Sequence, residues 1–404
     1  MRFFNLDCHI SVIADITYIF NRLGHTVTSW SLSGHNWVFN RKATPVEIVT
    51  SDTWRMLDST MADAFWTRYG SYLESFDGFI CTYPPAFALL YRMSKKPILI
   101  QAPIRYEAPF SDRLDEWLKL NNFIQTGIDD GKIIAIANSL YEKKYCELFT
   151  QREWKLIPSL CKYTDTSWVG TRSEFLYSGK PPFRFTKFST PIKKMQGLLS
   201  NVGVSDTKVF RRLSPKRMIP IQSRHSIISK AALGKYGWQK LSEFKAIVLI
   251  PYHAGSMSLF EHYTSNIPLL VPTKRFLIEL WNQYAADGVL SELSWNKIYG
   301  LPPKSLIPFK SSAPDPNDYT SQESMSFWLD YADYFNSDWM PHLIYFDDWE
   351  DLDEKLNSTN FAHTSKEMRA FNEVREARIF LRWGECLTRL GQCNQNSQES
   401  IWLE

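Results

Sequence analysis

The chain has 404 residues, 44% of them hydrophobic and 22% charged, with a formal net charge of +3. That length exceeds what one core usually supports, so two domains are expected, and a nearly neutral chain without a basic run argues against a nucleic-acid partner. No apolar run reaches the roughly 18 residues of a membrane span, and Met-Arg leads straight into a strand, leaving no room for a signal peptide.

Residues 2–7, RFFNLD, read as a first strand. Cys8-His9-Ile10-Ser11 then turns into a helix with Val12, Ile13, Ile16, Ile19, Phe20 and Leu23 at helical spacing. Gly24 ends that helix, and 25–30, HTVTSW, is the next strand. Asp7 and His9 stand at the carboxyl end of the first strand. An imidazole titrating near neutral pH suits proton transfer there, and a helix-capping or loop histidine is the other reading. Loop 31–45 is long, polar and aromatic; His35, Trp37 and Arg41 in it suit either the lining of a pocket or packing of the loop itself. An amphipathic helix over 52–76, strand DGFICTY, the Pro84-Pro85 break, a helix over 86–94 and strand KPILIQAP follow. A polar helix from Ser111, strand KIIAIANS, a helix over 140–150 and strand WKLIPSL complete the first half. Strands alternating with helices at this spacing imply a doubly wound parallel sheet.

A polar stretch over 162–172 marks the boundary, and SEFLYSG opens a second unit. Residues 183–217 are basic, with the charges interspersed among Ser, Thr and Pro as on a solvated surface. MIPIQ reads as another strand with Arg224 just past it, and Tyr236-Gly237-Trp238 follows. Then comes AIVLIPYHAGSMSLFEHYTSNIPLLVP, residues 246–272. An apolar strand ends at His253, Ala254-Gly255-Ser256 makes a small-residue turn, a short helix carries Ser258 and Glu261, and a second strand follows Pro268. Such a turn puts free N–H groups and a positive helix end at the carboxyl edge of a sheet, where diphosphates bind without needing a metal. Beyond it lie a helix containing FLIELWNQYA, a proline-punctuated loop over 301–322, strand HLIYFDD and helix WEDLDEKLN. A last helix over 366–390 carries a stripe of Phe371, Val374, Ile379, Phe380 and Leu387, and a polar tail starts at Gly391. The six cysteines, Cys8, Cys81, Cys146, Cys161, Cys386 and Cys393, are scattered without a C-x-x-C pair. They read as reduced thiols of a soluble cytoplasmic protein.

The pattern His253, small, Gly255, x, x, Ser258, x, x, Glu261, with Pro268 seven residues later, resembles the HGGxxSxxE donor signature of the GT-B glycosyltransferases. The resemblance implies two Rossmann-like, doubly wound α/β domains facing a central cleft: an acceptor domain over 1–168, a nucleotide-sugar domain over 169–365, and a C-terminal helix over 366–404 crossing back to the first. It implies that His253, Ser258 and the backbone at Gly255 and Ser256 hold the donor diphosphate, and that Glu261 accepts from the ribose hydroxyls. Ala254 departs from the commoner glycine and fits unless that residue needs positive φ. The opening strand, His-bearing turn and helix also resemble the start of the GT-B acceptor domain, which implies His9 as the base on the acceptor hydroxyl. Asp7 is then a rival base or an orienting partner, and Glu107, after strand KPILIQAP, the positional counterpart of the acid that orients the base in inverting relatives. By the same likeness, Lys180 and Arg224 are basic candidates for the phosphates and Trp238 for the base, while His35, Trp37 and Arg41 face the acceptor.

The reading is therefore a glycosyltransferase that moves a sugar from a UDP- or GDP-linked donor to a hydroxyl of a glycan or glycoconjugate. No cofactor and no obligatory metal are expected, since no D-x-D pair stands at a strand end. The 15% aromatic content, with 15 Trp, favours a carbohydrate acceptor, because such rings stack on apolar sugar faces, and equally fits a bulky core. Two alternatives stay open: a nucleotide-sugar epimerase or hydrolase of the same fold, and a non-catalytic nucleotide- or sugar-binding relative.

Overall fold

Six parallel strands form the first sheet: β1 (Arg2–Asp7), β2 (Thr26–Ser31), β3 (Gly78–Cys81), β4 (Ile98–Ala102), β5 (Ile133–Ala137) and β6 (Lys155–Leu156), in the order β2-β1-β3-β4-β5-β6. The computed structural model describes residues 1–33, 42–180, 183–187, 219–293, 297, 300–301 and 313–399. Strands β3 and β4 are buried throughout, which explains why they read as unbroken apolar runs: helices cover both faces of the sheet. Those helices are α1 (Ile10–Arg22), α2 (Ser59–Leu73), α3 (Leu114–Asp129) and α4 (Leu140–Thr150). Asp58 ends the predicted 52–76 helix early at its amino side, accepting from the Met61 N–H at 2.7 Å as an N-cap, so that Trp54–Met56 is a separate short turn. The predicted 86–94 helix is a 3₁₀ segment, Pro85–Tyr91.

The second sheet is also parallel, with β7 (Phe175–Gly179), β10 (Ile227–Ser229), β11 (Ile247–Ile250), β12 (Leu269–Pro272) and β13 (Ile344–Phe346) in the order β10-β7-β11-β12-β13. A side ribbon pairs β8 (Phe183–Lys187) with β9 (Ile219–Ser223). Helices α5 (Trp238–Ser242), α6 (Met257–Thr264), α7 (Lys274–Tyr284), α8 (Gln322–Leu329) and α9 (Trp349–Ser358) belong to this unit. Each sheet reverses its winding once, between β1 and β3 in the first and between β7 and β11 in the second. Ligands of doubly wound sheets bind outside the carboxyl ends of strands at such switch points.

The last helix, α10 (Phe361–Glu399), starts five residues before the expected position, continues as helix through the stretch expected as a tail from Gly391, and runs from the second unit back onto the first. Ile379, Trp383, Cys386, Leu387 and Leu390 pack with Phe3, Ile13, Ile16, Ile19 and Phe20. Val374, expected in the apolar stripe, is 57% exposed, because the buried face runs instead through Met368, Asn372, Arg375 and Ile379. Arg375 donates to the Ser159 carbonyl and, at 3.0 Å, to Thr264 Oγ1. From the other side Asp15 on α1 accepts the N–H groups of Leu160 at 2.8 Å and Cys161 at 2.6 Å. The crossover between the units is thus gripped by helices of both ends of the chain. No helix among the described residues is long and apolar enough to cross a membrane, and Cys8, Cys81, Cys146, Cys161 and Cys386 are free thiols.

Candidate active site in the interdomain cleft

Both switch points open into one cleft of about 570 Å³. From the first domain it takes His9 and Ser11 after β1 and Tyr83 after β3; from the second it takes Lys180 after β7 and Tyr252–Ser258 after β11. Trp238, Glu261, Lys230 and Glu292 complete the donor side. His9, Lys180, Trp238, His253, Gly255, Ser256, Ser258 and Glu261, scattered over some 250 positions of sequence, therefore line one space.

The small-residue turn is built tightly. Ser256 caps α6, its Oγ accepting from the Leu259 N–H at 3.3 Å and lying 3.1 Å from Ser258 Oγ. The first N–H groups of a helix have no acceptor within it, and Met257 and Ser258, at the positive end of the α6 dipole, line the cleft. Gly255 sits in close approach: a Cβ there would run into Asp333 Oδ2, so a larger residue needs that carboxylate to move. Ala254 is fully buried and is not among the residues with positive φ, so alanine stands there without strain. His253 Nδ1 lies 2.8 Å from the Gly255 carbonyl oxygen, and burial pushes the imidazole pKa down to about 4. Lys180 pairs with Glu292 and lies 4.1 Å from the centre of the Tyr252 ring.

Glu261, on the first turns of α6, is 6% exposed and accepts from Tyr163 Oη at 2.5 Å. It also takes hydrogen bonds from the Trp238 indole and the Ser11 hydroxyl, with Lys230 adding positive charge; burial nonetheless raises its pKa. A carboxylate has about four lone-pair sites, so these partners leave Glu261 capacity to accept from a further hydroxyl. Neither Tyr163, in the crossover, nor Lys230 was legible as a site residue; Ser11 had a signal, since it shares the turn with His9.

His9 caps α1 without a side-chain capping bond and reaches water inside the cleft, with its ring 5.4 Å from that of Tyr83. Desolvation by the surrounding cleft walls lowers its pKa, which favours the neutral imidazole. Asp7 does not line the cleft: it is fully buried and accepts from the His9 backbone N–H, the Thr82 hydroxyl and, at 3.4 Å, the Tyr83 N–H. It shapes the turn that presents His9, and burial pushes its pKa up to about 7.

Two candidates lie away from the cleft. Glu107 is 1% exposed, accepts from Tyr145 Oη at 2.5 Å and lies beneath the cleft floor among the aromatic rings of the first domain. It stands beside Arg105, which donates to Tyr141 Oη at 2.9 Å and to the Leu293 carbonyl at 2.5 Å across the domain boundary. Arg224 pairs with Asp353 on α9 at 3.4 Å, because the backbone at 224 is drawn to that carboxylate by two 3.0 Å hydrogen bonds. His35, Trp37 and Arg41 lie outside the described residues. Among the described residues no group of three or more His, Cys, Asp or Glu is arranged to hold a metal ion.

No family model and no curated protein matches the sequence. In structure the chain is similar to sucrose-phosphate synthase from Thermosynechococcus elongatus, with a TM-score of 0.52 at 10% identity over 97% of this chain and 99% of that one. It is also similar to UGT73P12 from Glycyrrhiza uralensis, TM-score 0.44, 10% identity, 100% and 98% covered. A third likeness is to the glycosyltransferase SnogD from Streptomyces nogalater, TM-score 0.33, 11% identity, 92% and 99% covered. The facing switch points, the returning helix and the full-length likeness to the synthase are those of the GT-B glycosyltransferase fold, and this chain has it.

Proposed function

We propose that the protein is a glycosyltransferase using a nucleotide-sugar donor, with UDP or GDP as the leaving group and a hydroxyl of a glycan or glycoconjugate as the acceptor. The observation that supports this best is the capped helix α6 and its Gly255 turn opening into the same cleft as His9. In this reading the diphosphate lies against the Ser256–Ser258 turn with His253 and Lys180, and a ribose hydroxyl takes the remaining acceptor capacity of Glu261. The acceptor hydroxyl attacks the anomeric carbon, His9 takes its proton, and the bond to the diphosphate breaks. The helix terminus and side chains stabilise the departing charge, so turnover needs no divalent metal. The fold is consistent with work in the cytoplasm without a membrane span.

A thermal-shift screen with UDP, GDP, CMP and dTDP and their sugars, in EDTA, tests the donor site. One nucleotide should raise the melting temperature by several degrees, and Glu261→Ala should abolish the rise. His9→Ala should then keep nucleotide affinity while turnover falls by about 10²–10⁴-fold, the usual worth of a positioned base. No shift with any nucleotide on folded protein sinks the donor reading; unchanged turnover in His9→Ala sinks the base.

A further inference from the structure

The floor of the cleft is a contact between the domains. Helix α4 of the first domain begins against the donor turn: a Cβ on Gly255 would lie 3.6 Å from Ser139 Cβ, and Asn138 Nδ2 is 3.6 Å from Met257 Sδ. One turn into this helix stands Glu142, 1% exposed, its backbone N–H donating to Ser139 Oγ at 3.0 Å. Both of its carboxyl oxygens are buried and have no hydrogen-bond partner among the described residues. Oε1 lies 3.9 Å from His253 Nε2. The other imidazole nitrogen, Nδ1, meets the Gly255 backbone twice: it lies 2.8 Å from the carbonyl oxygen and accepts from the N–H at 3.2 Å in the tautomer that leaves its lone pair free. In either tautomer Nε2, as lone pair or as N–H, faces the Glu142 carboxyl group, which can donate or accept.

We propose that Glu142 is a positioning residue supplied by the acceptor-side domain: its carboxyl group hydrogen-bonds with His253 Nε2 and so holds the imidazole where it braces the Gly255 turn. The functional part of this rests on reading that turn as the diphosphate site. At 3.9 Å the bond is not yet made; about 1 Å of side-chain adjustment makes it, as polar contacts of empty sites tighten on ligand binding. Burial favours the neutral acid and pushes the Glu142 pKa up to about 8. Arg105 opposes this, while Glu107 and Asp333 add to it; Tyr141 and Cys146 of the same helix also face the group. His253 is pushed down to about 4 by burial and by Arg105. Between those two values the pair holds one proton, and it sits on Glu142. Above them a negative charge appears under the turn, where a diphosphate is to bind.

The test uses the full-length protein and two readouts. Without ligand, ¹⁵N-histidine NMR follows the His253 ring nitrogens from pH 6.5 to 9.5, the resonance being assigned with His253→Asn. A midpoint near 8 in wild type, absent in Glu142→Gln, is the expected result. Calorimetry with UDP and GDP should show affinity falling about fivefold between pH 8 and 9 in wild type, as the binding-competent protonated form falls from about half to about a tenth. Glu142→Gln, which keeps an N–H donor but cannot ionise, should bind at every pH as wild type does at pH 7, and Glu142→Ala should bind more weakly without the pH slope. A His253 titration without a midpoint between pH 7 and 9 in wild type, or one unchanged in Glu142→Gln, overturns the proposal whether or not nucleotides bind. The expected NMR result together with no nucleotide binding upholds the pair and overturns the diphosphate reading instead.

Discussion

Gly255 is the residue at which the donor turn leaves least room. The backbone there is not left-handed; the constraint is Asp333 Oδ2, which a Cβ would strike. Gly255→Ala should therefore cost about 1–3 kcal/mol, the range for forcing extra volume into a packed site. Denaturant melts should show the loss, and Asp333→Ala in the same chain should recover most of it. If the double variant is no more stable than Gly255→Ala alone, the carboxylate is not the obstacle. At this scale the sequence was most readable where a short pattern encodes one strand, turn and helix: His253, Gly255, Ser256, Ser258 and Glu261 follow each other closely, and local geometry brings them together. It was least readable where chemistry comes from distant segments. Tyr163 and Ser11 meet Glu261 only through the fold, and Glu107 and Arg224 drew attention by position while their side chains are engaged elsewhere.

Among the elements, α10 does the most for the architecture. Trp383 on it is fully buried and meets Phe20 of α1 edge-on at 5.3 Å. Trp383→Ala should lower stability by about 3–5 kcal/mol, as large-to-small changes in cores do, with the melting curve as the measurement; a loss below about 1 kcal/mol would mean that the helix is docked by its polar contacts. The alternation of strands and helices was legible because buried parallel strands are continuously apolar. The face of α10 was not. Its buried side carries Asn372 and Arg375, polar residues matched to the Tyr263 carbonyl of α6, to Asn266 and to the Ser159 carbonyl of the crossover, so an apolar stripe read from periodicity places the face too far round, at Val374.

Taken whole, the protein holds several carboxyl groups where water cannot reach them. Asp15, Asp7 and Glu142 are pushed up to about 6, 7 and 8 by burial. A carboxyl whose pKa is higher in the folded chain than the roughly 4 of the unfolded one contributes stability that is present below that lower value and is lost as pH rises through the folded one. Buried His253, held near 4, acts in the opposite sense, but its effect is complete above about pH 6.5. Stability should accordingly decline between pH 7 and 8.5, and the decline should be smaller in Glu142→Gln; guanidinium titrations at those two pH values decide it. A flat profile in wild type would show that Asp7 and Glu142 ionise freely in the folded state.

The return of α10 to the first domain has a consequence for synthesis. The apolar face made by Phe3, Ile13, Ile16, Ile19 and Phe20 is completed by residues 379–390, which leave the ribosome after the entire second domain. Until then the nascent first domain presents an uncovered greasy flank, a binding site for chaperones and a hazard for self-association. A fragment ending at the crossover should behave the same way in isolation, and a peptide spanning 361–399 supplied in trans should rescue its solubility.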